Sequence, residues 1–295
     1  MTRARGSALV AFSACCFGSI SVLTLVATRA GTPLGTVLAW RYLLGGALLL
    51  AVTGPRRAAL PVAQGTRMLA VGGLGQAVVA ITSLSALRWI PAGTLGFLFY
   101  TYPAWIALFA MLRGTEVVDR RHVTSLALSF GGIVLMVGSP WAGAIAWQGV
   151  ALALASALVY SIYVPYLDRL QAATTPAVAS TYVVSGAGVV CLVVALATDE
   201  LTMRVAPLAW GAIAALAVVC TCIAFITFLR GLGALGPVRT GIVSTIEPFW
   251  TAVLGAAVLA QPLTAATVAG GALIAAAVLL LQLPNDIHRR DAETP

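Results

Sequence analysis

Apolar side chains gather into ten runs along the chain, at about 7–27, 33–53, 68–87, 93–112, 122–139, 147–167, 176–197, 207–229, 237–260 and 264–283. Each run is close to the ~20 residues that an α-helix needs to cross a bilayer core about 30 Å thick. Several runs carry helix punctuation. Pro33, Pro176, Pro207 and Pro237 stand at predicted first turns, where a missing N–H costs least. The first run has Arg3 and Arg5 ahead of it, as a secretory signal would, yet it stays apolar for about 20 residues with no clear small-x-small site after it. It is therefore retained as a helix. The pattern predicts an all-α polytopic membrane protein with ten transmembrane helices.

Composition narrows the function classes. Of 295 residues, 60% are hydrophobic and 9% are charged, against roughly 25% charged in a soluble domain. Ten spans use about 200 residues, so nine loops and two tails share about 95, too few for a soluble catalytic head. Any chemistry must then sit between helices or at their ends. The five cysteines, Cys15, Cys16, Cys191, Cys220 and Cys222, all fall in apolar runs. They read as small packing residues, with neither a disulfide framework nor a metal site. No cofactor motif is present.

All 17 cationic residues are arginine, and the formal net charge is +8. With ten spans both termini share one side. That side carries twelve arginines (3, 5, 56, 57, 67, 113, 120, 121, 169, 230, 289 and 290), and the other carries Arg29, Arg88 and Arg204. The bias places both termini in the cytoplasm of a cell (inner) membrane and accounts for the basic balance without nucleic acid. Arg41 and Arg239 lie inside runs.

Sliding the chain against itself by 145 residues brings Leu87, Gly96, Pro103, Trp105, Ala107, Val123, Ala127 and Leu135 onto Leu232, Gly241, Pro248, Trp250, Ala252, Val268, Ala272 and Leu280. The same shift superposes the run boundaries. Two halves, 1–142 and 143–295, follow, with the segment from Ser139 to Trp147 as their joint. Five spans per half is an odd number, so the second half enters the membrane from the opposite side. Such inverted repeats can exchange conformations and give alternating access.

The ordered set Phe17-Gly18-Ser19, Arg41-Tyr42, Pro103 followed by Glu116, Glu247-Pro248, Gln261-Pro262-Leu263 and Gly270-Gly271 resembles the EamA-type family of the drug/metabolite transporter superfamily over nearly the whole chain. The resemblance implies a secondary transporter of small metabolites, amino acids or drug-like solutes, with efflux through a central cavity formed by both halves. Phe17 stands where a Trp is common, and Gln261 where the second half often has a Glu. Smaller four-helix relatives couple to protons through a Glu in their first helix, but the first run here contains no acid. That role is not carried over.

Glu247 is the one carboxylate deep in a run, about eleven residues into the ninth and roughly 15 Å from its end. A charge at that depth marks a functional site by default. Thr240, Ser244, Glu247 and Thr251 share one helical face, which is expected to line a polar interior. Pro248 cannot donate to the carbonyl of Ser244, and Pro103 has the same relation to Phe99; the paired breaks read either as passive kinks or as a midplane binding site. Arg41 falls at a depth similar to Glu247. The two are expected to interact, as a fixed ion pair or as a switchable one, with separate partners as the alternative. Arg239 either snorkels to the interface or stands as a charge at a cavity mouth. Tyr100, Tyr102, Trp105, Tyr160, Tyr163, Phe249 and Trp250 supply either packing and interfacial anchors or an aromatic lining, and Gln76 with Ser83 could add hydrogen bonds to a solute. Protons are an open coupling partner through Glu247. A lipid flippase or channel is the alternative to a solute carrier; an enzyme lacks any catalytic constellation.

Overall fold

Helix starts follow the prolines and small capping side chains. In the computed structural model, Pro33, Pro61 and Pro91 are N-caps, Pro176 and Pro207 occupy the first turn, and Thr175 accepts from Val178 N at 3.4 Å. The structure describes residues 2–55, 59–113, 120–138, 146–171, 174–235, 240 and 243–282, and among them there is no strand.

The helices are α1 (Arg3–Arg29), α2 (Leu34–Thr53), α3 (Val62–Arg88), α4 (Ala92–Phe99), α5 (Tyr102–Leu112), α6 (Arg120–Gly138), α7 (Trp147–Gln171) and α8 (Pro176–Ala197). Next comes α9, built of Pro207–Ala217, Val218–Ile223 and Ala224–Leu235, followed by α10 (Ile246–Leu259) and α11 (Ala265–Gln282). Six of these helices are long and apolar enough to cross a membrane, and three shorter apolar ones accompany them. α7 runs past Pro165 to Gln171 and α9 reaches Leu235, both beyond the predicted ends. The fourth predicted run is split into α4 and α5 by a turn at Tyr100 and Thr101. In the ninth, a turn at Thr245 precedes α10. Pro237, Arg239, Glu116 and residues 139–145 lie outside the described residues.

The 145-residue shift carries α1 onto 148–174, against Trp147–Gln171, and α6 onto 265–283, against Ala265–Gln282. The packing follows the same exchange. α2 lies along α8, α4 against α10 and α6 against α11; α3 packs on α7 and α8, as α9 packs on α1 and α2. Both α3 and α9 contain a π-helical turn, at Met68–Gly72 and Val218–Ile223. The core gathers Leu38, Tyr42, Leu84, Leu98, Ala187 and Cys191 between α2, α3, α4 and α8, while Phe12, Val52, Leu74, Val134, Ile162 and Val193 face outward. Large outward apolar residues suit a surface solvated by lipid. All five cysteines are free.

Lipid is as apolar as a leucine side chain, so helices here gain by close approach rather than by escaping water. The tightest crossing is backbone to backbone, where a Cβ on Gly73 would lie 2.5 Å from Gly186 Cα and one on Gly186 would lie 2.0 Å from Leu69 O. Only glycine at both positions lets α3 and α8 meet.

One end of the bundle is tied by side chains that cap neighbouring helices. Asp199 and Ala260 adopt left-handed φ of 55° and 50°, turning the chain sharply after α8 and α10 so that the next residue points back over the bundle. Glu200 accepts from Gly35 N at 2.7 Å at the start of α2, and Gln261 Oε1 accepts from Ala92 N at 3.0 Å at the start of α4. Thr36 Oγ1 also donates to the Glu200 carbonyl. Arg29 Nη1 reaches Leu259 O at 3.5 Å, and Arg88 lies 3.6 Å from Glu200. At the opposite end a groove of about 320 Å³ opens beside Ala63, Gln64, Arg67, Arg169 and Leu170.

Gly73→Val is expected to cost about 1–3 kcal/mol by overpacking and to lower the thermal midpoint in detergent, whereas Gly211→Ala, which meets nothing within 4 Å, leaves it unchanged. Equal effects would remove the crossing as a determinant. Glu200→Ala, which strips the cap from α2, is expected to cost about 1 kcal/mol, and Arg88→Ala, at an exposed pair, less than about 0.5 kcal/mol. The same midpoints rank the two.

Candidate functional site

Pro248 has no N–H, so the carbonyl of Ser244 has no amide to bond four residues on. The structure supplies a different donor from the other half of the chain: Tyr100 Oη lies 2.9 Å from Ser244 O and 2.8 Å from Glu247 Oε2. Tyr100 sits at the turn that separates α4 from α5, and Thr245, its equivalent at the 145-residue shift, sits at the turn before α10. Two interruptions therefore meet, and the side chain from one fills the vacancy in the other. Tyr100 is 7% exposed, while Ser244 and Glu247 are half-buried.

The rest of α10 is tied to α1. Thr251 Oγ1 lies 2.8 Å from Gly18 O and 3.0 Å from Glu247 O, and Trp250 Nε1 donates to Ser19 Oγ at 3.0 Å. A Cβ on Gly18 would lie 2.7 Å from Glu247 O. The Phe17-Gly18-Ser19 and Glu247-Pro248 motifs, separated by about 230 residues, thus form one seam. A Cβ on Gly96 of α4 would lie 3.5 Å from Pro248 Cα.

A cluster of aromatic rings extends from this point. Tyr102 packs edge-on against Tyr160 with centroids 4.9 Å apart, Tyr100 lies 5.9 Å from Tyr102, and Tyr163 lies 6.4 Å from Tyr160. Phe249 turns away to meet Phe97 at 4.9 Å, and Trp105 meets Phe130 at 5.2 Å. Beyond the tyrosines, Gln76 Nε2 donates to Tyr42 Oη at 3.1 Å, and the Arg41 guanidinium lies 4.9 Å from the Tyr42 ring centre.

The expected Arg41–Glu247 contact is not made. Among the described residues the single ion pair is Arg88–Glu200. Arg41 is 5% exposed with Nε unpartnered, and it is near enough to Tyr42 and to the thiols of Cys191 and Cys220 to interact electrostatically with each. It therefore faces α8 and α9, while Glu247 faces α4.

Other candidates are sorted by the geometry. Tyr163 donates to Gly72 O at 2.7 Å, at the end of the π-turn in α3, and Ser83 Oγ bonds back to Val79 O at 2.7 Å within its own helix. Trp250 is occupied by Ser19. The face bearing Thr240, Ser244, Glu247 and Thr251 is expected to line a polar interior; in the structure Thr240 and Thr251 are buried, and Ser244 O, Glu247 and Thr251 bond to Tyr100 and α1. Pro103 lies in the first turn of α5, after the break. Arg239 lies outside the described residues. The capping roles of Glu200 and Gln261, the π-turns and the Gly18 crossing were not anticipated. Only Gly18 and Gln261 left a trace in sequence, as members of quoted motifs.

A family model described as the EamA-like transporter family matches residues 4–138 and again residues 147–283. No curated protein matches the chain. A crystal structure of a protein 20% identical in sequence aligns over 98% of this chain and 99% of that one, with a TM-score of 0.64. At that identity the likeness concerns the fold alone.

The α1–α10 seam can be read by substitution. Gly18→Ala and Thr251→Val are each expected to cost about 1–2 kcal/mol. Together they should fall short of additivity by at least about 0.5 kcal/mol, judged from thermal midpoints in detergent. Additive shifts would place the two residues in independent environments.

Proposed function

Because the chain belongs to the EamA-like transporter family, and so is a multi-pass membrane protein, we propose that it moves a small metabolite, an amino acid or a drug-like solute, out of the cell by alternating access. The two halves, 1–142 and 143–295, are inverted five-helix repeats in this reading, ten spans in all, with both termini in the cytoplasm of the inner membrane. The observation that carries it is the contact of Tyr100 with Ser244 and Glu247. It joins equivalent interruptions of the two halves, where inverted-repeat transporters hold substrate and coupling groups. In this topology the end tied by Arg29, Glu200 and Gln261 is the outer one, and the grooved end beside Arg67 faces the cytoplasm.

The residues assigned to binding or coupling are Glu247, Ser244, Thr240 and Tyr100 at the breaks, Tyr160 and Tyr163 in the aromatic cluster, Trp250, Gln76 and Ser83, and Arg41. Pro103 and Pro248 make the breaks. Passage of a solute requires the capping contacts at the tied end to release while α10 separates from α4. Close crossings at small residues permit such sliding without a large change in buried surface.

Counterflow in proteoliposomes, with a panel of amino acids, nucleosides and aromatic cations, tests the proposal. Saturable exchange is expected for at least one water-soluble class, reduced about tenfold or more in Glu247→Gln. Exchange unaltered in that variant would remove Glu247 from the mechanism. Movement of a labelled lipid with no solute exchange would replace the solute carrier by a flippase.

A further inference from the structure

A phenol carries one proton, and Tyr100 faces two acceptors with it. Its oxygen is within hydrogen-bond distance of both the Ser244 carbonyl and a Glu247 carboxyl oxygen, so it cannot donate to both in full. When Glu247 is protonated the conflict disappears: the carboxyl O–H donates to Tyr100 Oη, and Tyr100 O–H donates to Ser244 O. When Glu247 is ionised it is an acceptor only, and a bond from the phenol to the carboxylate is about twice as strong as one to a neutral carbonyl. The hydroxyl then turns to Glu247, and the carbonyl left open by Pro248 loses its donor.

We propose that Glu247 is a proton-binding site and that Tyr100 is the positioning residue that transmits its protonation state to the backbone break before α10. This deepens the transport reading and rests on it for its place in the cycle. With the proton bound, the hydrogen-bond chain from Glu247 through Tyr100 to Ser244 is complete and clamps the break against α4. Loss of the proton to water leaves the half-buried Ser244 carbonyl without its donor inside the membrane layer. A bare carbonyl there is costly, so the break opens toward water and α10 loosens from α4. The movement also reaches α1, because the Glu247 carbonyl is packed over Gly18 and shares the Thr251 hydroxyl with the Gly18 carbonyl.

The surroundings leave this carboxyl in charge of its own proton. From the turn before α5 and from α5 the titratable groups facing it are Tyr100 and Tyr102, and from α7 Tyr160. α1 meets α10 with Gly18 at the Glu247 backbone carbonyl and with Ser19 at Trp250, and α11, which packs on α4 and α5, has no titratable side chain over Ala265–Gln282. Among the described residues no cation lies within ion-pair distance. Tyr102 occupies the position equivalent to Glu247 in the first half, so the acid is present once and the device is asymmetric.

Hydrogen–deuterium exchange of the full-length protein in lipid nanodiscs, over a pH series and corrected for intrinsic amide rates, tests this without any substrate. Amides of 243–251 are expected to exchange about three- to tenfold faster at high pH than at low pH, the change that withdrawal of one ordinary hydrogen bond produces. In Glu247→Gln, whose amide donates to Tyr100 permanently, and in Tyr100→Phe, the profile is expected to be flat. A flat wild-type profile overturns the proposal, as does a Tyr100→Phe profile with the wild-type step. Should Tyr100→Phe not accumulate, a step retained in Glu247→Gln overturns it alone. If no solute exchanges while the step is present and lost in both variants, the transport reading fails and the proton site stands; solute exchange with a flat profile gives the reverse.

Discussion

A backbone carbonyl without an amide partner is the constraint around which this fold is arranged. Inside a hydrocarbon layer there is no water to bond it, so irregular backbone survives only where protein groups satisfy it. Pro248 creates the vacancy at Ser244, and Tyr100 fills it from the other half of the chain. That single requirement fixes the height of α4 relative to α10 and brings the two interrupted elements into register. It also places a carboxyl beside the donor, which turns a structural bond into one that competes for a proton.

The remaining contacts allow this meeting to happen at close range. Gly18 lets α1 approach the backbone at Glu247, and the Gly73–Gly186 crossing brings α3 and α8 together with no side chain between them. Burial of apolar area supplies little net drive between helices already solvated by lipid, so packing distance and hydrogen bonds carry the association. The same contacts are replaceable one by one, unlike a thick interdigitated core.

The tied end shows how polar groups are used outside the apolar layer. Glu200 and Gln261 each follow a residue with positive φ and cap the first turn of a helix distant in sequence. The Arg88 contact adds little by itself because it is exposed. Here the helix N-termini are the anchors, since their free amides must find acceptors.

Much of the architecture was legible from the order of residues. Spans, their starts at Pro176 and Pro207, the 145-residue shift and the break at Glu247-Pro248 all follow from local chemistry: length against bilayer thickness, the missing proline amide and the rise of 1.5 Å per residue. Family membership was legible in the short motifs, and two of them meet at the α1–α10 seam. That Arg41 and Glu247 do not meet was not legible. Sequence fixes how deep each residue lies, yet two groups at equal depth touch only if their helices turn toward one another, and Arg41 turns to α8 and α9. Nor did depth reveal that the Ser83 and Tyr163 hydroxyls each bond a backbone carbonyl, that of Val79 and that of Gly72. What the chain determined by itself is which segments form apolar helices, where they break and which polar residues lie deep within them. What only the tertiary structure decided is the rotation of each helix, and with it the partner of every buried polar group.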